Sequence, residues 1–390
     1  MNSKCENGTL TVFLAGRIDS SNADAFGAEF DSIYNANPAE NLVFDAAALE
    51  YISSAGLRQV LRARKMNATL NIINVSSDVY EVFDMTGFTE MIPVEKAYRQ
   101  FSVEGCKIIG QGAKGTVYRY NEDTIIKVYK SLDALPAIKR ERELARKAFV
   151  LGIPTAISYD VVQVDGKFGS VFELLDAKSY SQLMLDDPAN RDKYIADFAL
   201  LLRKIHDTPV KADDMPDIKG LVRNWVSVAA PFIPGEEAVK IAMLVEKTPD
   251  TLNMLHCDYH TNNVMLQNGE TLLIDMDTLS HGHPIFELAN VHISFVGFAE
   301  ADPEQAQKFL DGVPADVSNE IWRKFLPTYL GTDDPARIAD VEKKAALMGY
   351  VRLLRHTARR DAESEKSKKI IAMCAAHIHE LLPGIDSLDF

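Results

Sequence analysis

At 390 residues, 47% hydrophobic and 25% charged, the chain has a globular composition and is too long for one ordinary core. Its net charge of -14 is spread along the length, with 8 basic and 13 acidic residues in the first hundred and 34 and 43 in the remainder. That argues against a nucleic acid or an anionic membrane as main partner. Cys5, Cys106, Cys257 and Cys374 form no CxxC pair, MNSKCENGTL lacks the apolar core of a signal peptide, and no apolar run approaches the roughly 20 residues of a membrane span, so a reducing cytoplasm is the expected setting.

In chain order, TLTVFLAG (9–16) reads as a strand, and residues 21–36 as an amphipathic helix capped by Ser20 or Ser21. NLVFDAA (41–47) reads as a buried strand. SSAGLRQVLRARKM follows as a helix with Leu57, Val60 and Leu61 on one face. ATLNIINV gives a third strand and SSDVYEVFDMTGF a third helix ending near Gly87. Alternation at this spacing implies a largely parallel or mixed sheet covered by helices.

The pattern changes after Val94. Residues 107–130 read as an antiparallel meander with a glycine turn, followed by a charged helix that stops at Gly152 before Pro154. Residues 159–175 read as a hairpin around Asp165–Gly166. From Tyr180 the chain is mostly helical, with Tyr194, Phe198, Leu201 or Leu202, and Ile205 as one apolar stripe. The expected divisions are 1–100, 101–177 and 178–390, with a short boundary near 97–105.

GQGAKGTV has the form GxGxxGxV, with Gly110, Gly112 and Gly115 as its glycines. A dinucleotide-binding loop opens a helix at its third glycine, whereas Thr116–Tyr120 continues here as a strand, the setting of a loop that lies over ATP phosphates. Ten residues on, Lys127 interrupts the apolar strand TIIKVY. It either snorkels to the surface or neutralises phosphates while pairing with Glu141 or Glu143 on the next helix. Asp258 and Asn263 stand five apart in LHCDYHTNN, and Asp275 follows after a turn and the strand TLLI. Phosphoryl transfer needs a carboxylate to take the attacking hydroxyl's proton and oxygen ligands for Mg²⁺; Asp258 suits the first task, Asn263 and Asp275 the second. A loop with side-chain caps explains any one of these residues, but not all of them together.

LHCDYHTNN resembles the HxDxHxxN catalytic loop of the aminoglycoside phosphotransferase and choline kinase-like group, and LLIDMDTLSHGHPIFELA resembles its metal-binding segment and following helix. The resemblance covers roughly residues 103–300. It implies an α+β two-lobed, protein-kinase-like fold, with Asp258 as catalytic base, Asn263 and Asp275 as Mg²⁺ ligands, Lys127 as the phosphate-binding lysine and Glu141 as its partner. The segment FELL would be the hinge, with the backbone of Glu173 and Leu175 bonding adenine of ATP. Cys257 and Glu287 depart from the group's usual glycine and aspartate. His260 replaces the lysine usual in Ser/Thr protein kinases, and no APE-like segment follows Asp277. The implied acceptor is therefore a hydroxyl of a small molecule, which the acidic net charge would favour as a cationic alcohol. A rival zinc site built from His256, Cys257, Asp258, His260, His281 and His283 leaves the glycine loop and Lys127 unexplained; His256 is expected to brace the catalytic loop, and His281 and His283 to form a surface turn. Trp225 and Phe232 are candidates for an acceptor pocket or for core packing.

The first hundred residues carry a second resemblance. AGRIDSSNADAF and LVFDAAALEYISSAGLRQVL are similar to segments of STAS domains, the α/β anti-sigma-factor antagonist fold. That implies a regulatory or protein-interaction module. The family's phosphoserine falls on Ser54, its preceding acidic residue on Ser53; the residues alone read Ser53 or Ser54 as a helix cap. The whole reads as an α/β STAS-like domain fused to an ATP- and Mg²⁺-dependent kinase. The alternatives are a signalling kinase acting on Ser54 in cis or trans and a nucleotide-binding scaffold in a partner-switching pathway.

Overall fold

The computed structural model describes every residue except Ala113. The chain divides into two units, Met1–Gly105 with Val161–Gly169, and Cys106–Asp160 with Ser170–Phe390.

The first unit is built on a five-stranded sheet in the order β1 (Asn2–Glu6), β2 (Thr9–Ile18), β3 (Asn41–Ile52), β4 (Asn71–Val75), β5 (Val94–Lys96). The β1–β2 pair is antiparallel and the others are parallel. Strand β1 is absent from the sequence reading, although Asn7-Gly8, both at positive φ, is a strong hairpin signal. Leu10, Val12 and Leu14 alternate inward from β2, and Leu42, Phe44 and Ala46 from β3. They are covered by α1 (Ala23–Ala36), α2 (Ser54–Met66), α3 (Ser77–Met85) and the one-turn α4 (Phe88–Met91). Phe30 of α1 packs edge-on to Phe44, and α2 lies so close that a Cβ at Gly56 would sit 2.8 Å from the Ile18 carbonyl oxygen. The expected cap of α1 is corrected: Asn22 holds the N-cap position, while Ser21 bonds Asp19, because Asn22 turns back to accept from Asp19 N–H at 2.8 Å and donate to the Arg17 carbonyl. β6 (Gln100–Phe101) closes this stretch.

The second unit opens with the antiparallel strands β7 (Lys107–Gln111), β8 (Gly115–Arg119) and β9 (Thr124–Tyr129), followed by α5 (Leu135–Val150). Next in the chain come β10 (Asp160–Val164) and β11 (Lys167–Glu173), whose residues 161–169 are counted with the first unit; they turn at Asp165-Gly166 with positive φ at both. Beyond them are β12 (Lys178–Ser179), α6 (Tyr180–Asp186), α7 (Arg191–His206), α8 (Ile218–Ala229) and α9 (Gly235–Lys247). Short β13 (Met254–Leu255) and β16 (Ser280–His281) pair across the segment that contains β14 (Val264–Gln267) and β15 (Glu270–Leu273). The rest is helical: α10 (Ile285–His292), α11 (Phe298–Ala301), α12 (Pro303–Phe309), α13 (Ala315–Leu330), α14 (Pro335–Asp361) and α15 (Glu365–Leu381). One apolar core joins α7, α8, α10, α13 and α14 through Phe198, Leu202, Trp225, Phe286, Phe325, Leu347 and Leu354. Each such side chain contributes roughly 1.5–3 kcal/mol by leaving water. Trp225 is wholly a core residue on its apolar side, whereas Phe232 is partly exposed. No helix among the described residues is long and apolar enough to cross a membrane.

Candidate active site

Strand β9 and helix α5 place Lys127 and Glu141 side by side. Lys127 Nζ lies 3.0 Å from Glu141 Oε1 and 2.9 Å from Asp275 Oδ1, a residue 148 positions away. Tyr129 OH donates to Glu141 Oε2 at 2.8 Å, so both oxygens of this buried carboxylate are used. Glu143, two residues on, points elsewhere and pairs with Lys147. Burial works against charge on Lys127, but Glu141 and Asp275 outweigh it and hold the ammonium protonated beyond the ordinary lysine range. Burial likewise raises Glu141, against the pull of Lys127.

The glycines differ in what the fold asks of them. A Cβ at Gly115 would lie 2.6 Å from the Val128 carbonyl oxygen, so strand pairing itself demands glycine there. At Gly110 and Gly112 a Cβ would meet nothing closer than 3.5 Å, and neither has positive φ. Local packing gives no reason for glycine at these two positions. Lys130 Nζ donates to the Gly112 carbonyl at 2.7 Å, and Lys114 pairs with Asp277.

The segment that resembles a catalytic loop is fixed from beneath. Buried Glu287 on α10 accepts from His256 N–H at 2.7 Å and Cys257 N–H at 2.6 Å, and lies 3.0 Å from His206 Nε2. Thr278 Oγ1 donates to the His256 carbonyl and Asn290 Nδ2 to that of Cys257. Cys257 sits at φ 66°, the left-handed region that glycine adopts without strain. The chain thus keeps here the backbone shape of a glycine while carrying a buried thiol. Burial pushes that thiol's pKa well up. Asn263 Nδ2 donates to the Asp258 carbonyl at 2.9 Å, and Ile274 N–H to the Asn263 carbonyl at 3.0 Å, which ties the Asp258 loop to the Asp275 segment. Burial opposes ionisation of Asp258, yet His260 beside it and the charge of Arg352 hold its carboxyl below the usual aspartate range.

The carboxylates of Glu141, Asp275 and Asp277 lie within 4.8 Å of one another. Among the described residues, His256, Cys257, Asp258, His260, His281 and His283 gather into no such group, and the zinc reading finds no site. His283 is corrected from surface turn to buried residue: it pairs with Asp389 at 3.1 Å and its ring meets Phe390 edge-on, so the C-terminal residues cover it. At the segment expected to be the hinge, Leu174 N–H donates to the Asp123 carbonyl at 2.8 Å, between Glu173 and Leu175. Ser53, not Ser54, caps α2, accepting from Ala55 N–H; Ser54 is exposed at the first helical position. Tyr129, Asp277, His206 and Arg352 were not singled out from the sequence. The first three could have been sought as polar residues inside apolar runs; Arg352 gives no such signal.

The profile described as the phosphotransferase enzyme family (APH) matches residues 105–319, more than half of the chain. The chain belongs to that family. The STAS profile matches residues 1–100. Within that segment the chain is 35% identical over 92 residues to a Bordetella bronchiseptica protein named as an anti-sigma factor antagonist, BtrV, covering 23% of this chain and 78% of the relative. Both resemblances drawn from the motifs are thus shown, as is the pairing of an α/β STAS domain with a kinase-like phosphotransferase domain. Solved structures similar to the chain include the streptomycin–ATP complex of APH(2″)-IIa, at 17% identity over 73% of this chain and 93% of that one (TM-score 0.47). Another is a choline/ethanolamine kinase family protein from Mesorhizobium loti, at 14% identity over 71% and 91% (TM-score 0.46).

Proposed function

We propose that the chain is an ATP- and Mg²⁺-dependent phosphotransferase whose acceptor is a hydroxyl of a small molecule, with the STAS domain as its regulatory or protein-interaction module. The observation that carries this reading is the convergence of Lys127, Glu141 and Asp275 beside the loop that holds Asp258 and Asn263. Asp258, already ionised, takes the proton of the attacking hydroxyl. Lys127, fixed by two carboxylates, faces the phosphates of the nucleotide, whose backbone approach is left open at Gly110 and Gly112; Glu173 and Leu175 flank the bonded Leu174 and meet the adenine. Asn263 and Asp275, with Asp277 nearby, offer the carboxylate and amide oxygens that Mg²⁺ prefers. Bound there, the ion would offset charge on the phosphates. Nucleotide binding then belongs to residues 101–177 and acceptor binding to 178–390, and the four free cysteines suit a reducing cytoplasm.

The test is transfer from Mg·ATP to a panel of small alcohols by the wild-type chain and Asp258→Ala, with ATP binding measured in parallel. Turnover lost with binding retained supports the assignment; turnover retained in Asp258→Ala sinks it. A second reading, a kinase acting on Ser54, draws support from the exposed Ser54 hydroxyl, which the capping bond leaves free. Intact mass after incubation with Mg·ATP decides it: a phosphate present in wild type and absent in both Ser54→Ala and Asp258→Ala favours the signalling kinase.

A further inference from the structure

The C-terminal half of α14 carries Arg352, Arg355, His356 and Arg359 at positions i, i+3, i+4 and i+7, hence on one face. Arg359 lies in the last turn, where any helix favours a cation. Arg352 and Arg355 lie further in and are only partly exposed, so the helix end does not account for them. The Arg352 guanidinium sits 5.5 Å from the centroid of the Trp225 ring on α8. Arg355 reaches Asn224 Oδ1, one residue before Trp225, at 3.3 Å, and its Nε is buried without a hydrogen-bond partner. Among the described residues no carboxylate forms an ion pair with either arginine, although the chain carries 56 acidic residues against 42 basic ones. The carboxylates whose charge Arg352 feels are Asp258 and Glu287. Glu287 and Asn290 of α10 bond the backbone of His256 and Cys257, and α10 packs against α14, so the helix that carries Arg352 lies against the support of the Asp258 loop. A half-buried guanidinium with no carboxylate in ion-pair contact is costly, and its planar fork matches a carboxylate or phosphate in two parallel bonds.

We propose that Arg352 and Arg355 form an anion-recognition subsite of the acceptor pocket, so that the acceptor is a small alcohol bearing a carboxylate or a phosphate rather than the cationic alcohol that the net charge favours. This rests on the phosphotransferase reading. The acceptor's oxyanion engages the guanidinium groups and its hydroxyl faces Asp258. The hydroxyl oxygen bonds to the γ-phosphorus of ATP, the bond from that phosphorus to the β-bridging oxygen breaks, Asp258 takes the hydroxyl proton, and ADP leaves.

The experiment uses the full chain and matched probes: glycerol, glycerate, glycerol 3-phosphate, choline and glucosamine. Binding is followed by tryptophan fluorescence, since Trp225 lies under Arg352 and the chain has only two tryptophans, and transfer by Mg·ATP-dependent phosphorylation of each probe. Glycerate or glycerol 3-phosphate should bind at least about tenfold tighter than glycerol or choline, and the stronger of the two identifies a carboxylate or a phosphate as the matched group. Arg355→Ala should weaken that binding by about tenfold or more, and Arg355→Lys, which keeps the charge but loses the fork, should fall between. Preference for choline or glucosamine, equal binding of glycerol and both anions, or indifference to Arg355→Ala overturns the subsite. Arginine-dependent anion binding with no transfer to any probe leaves the subsite standing and counts against the phosphotransferase reading instead.

Discussion

At the scale of single residues, the site depends on which polar groups remain unused once the fold has satisfied its own needs. Glu141 spends both carboxylate oxygens on Lys127 and Tyr129, and Glu287 spends its pair on the loop backbone and His206. Asp258 is different: its side chain is still 38% exposed, and His260 Nε2 lies 3.8 Å from its Oδ2. Asp258→Asn should therefore lower kcat by about 10²–10⁴-fold while ATP affinity is kept, as measured by steady-state kinetics and nucleotide titration. The pH dependence follows in sign. The folded carboxyl is depressed below its unfolded value, so its contribution to stability is complete above the ordinary aspartate range and is lost only as pH falls through the lower folded value. Melting temperature measured against pH should accordingly show wild type and Asp258→Asn converging only at strongly acid pH.

At the scale of elements, two predictions separate packing from ligand contact. Gly115→Ala drives a Cβ into the Val128 carbonyl and should lower stability by about 1–3 kcal/mol in a denaturant titration. Gly110→Ala meets only ordinary contact and should leave stability nearly unchanged while weakening ATP binding. Glu287→Ala removes the acceptor of two buried N–H groups beneath the catalytic loop and should cost on the order of 3 kcal/mol. These elements were unequally legible in the sequence. Alternating apolar residues disclosed β2 and β3, and the 3.6-residue stripe disclosed α2 and α7. Strand β1 carries no inward apolar side chain and is exposed throughout, so only its Asn-Gly turn marked it. The cap of α1 went to Asn22 because a local bond to Asp19 competed with Ser21.

At the scale of the whole molecule, spacing could locate each candidate residue but could not bring Lys127 to Asp275 across 148 positions; that join came only through family resemblance. Nor could net charge report a local field. An overall charge of -14 coexists with an arginine face on α14, since charges are summed over the sequence but act over a Debye length of about 10 Å or less. His283 was misplaced for a related reason: its cover, Asp389 and Phe390, lies at the far end of the chain.

The central claim is Asp258-dependent phosphoryl transfer, and its most direct test is transfer of label from [γ-³²P]ATP, with Mg²⁺, to a panel of small alcohols by wild type and Asp258→Asn, with ATP binding measured on both. The account predicts labelled acceptor from wild type alone and equal nucleotide binding by the two. Label transferred as fast by Asp258→Asn would contradict it.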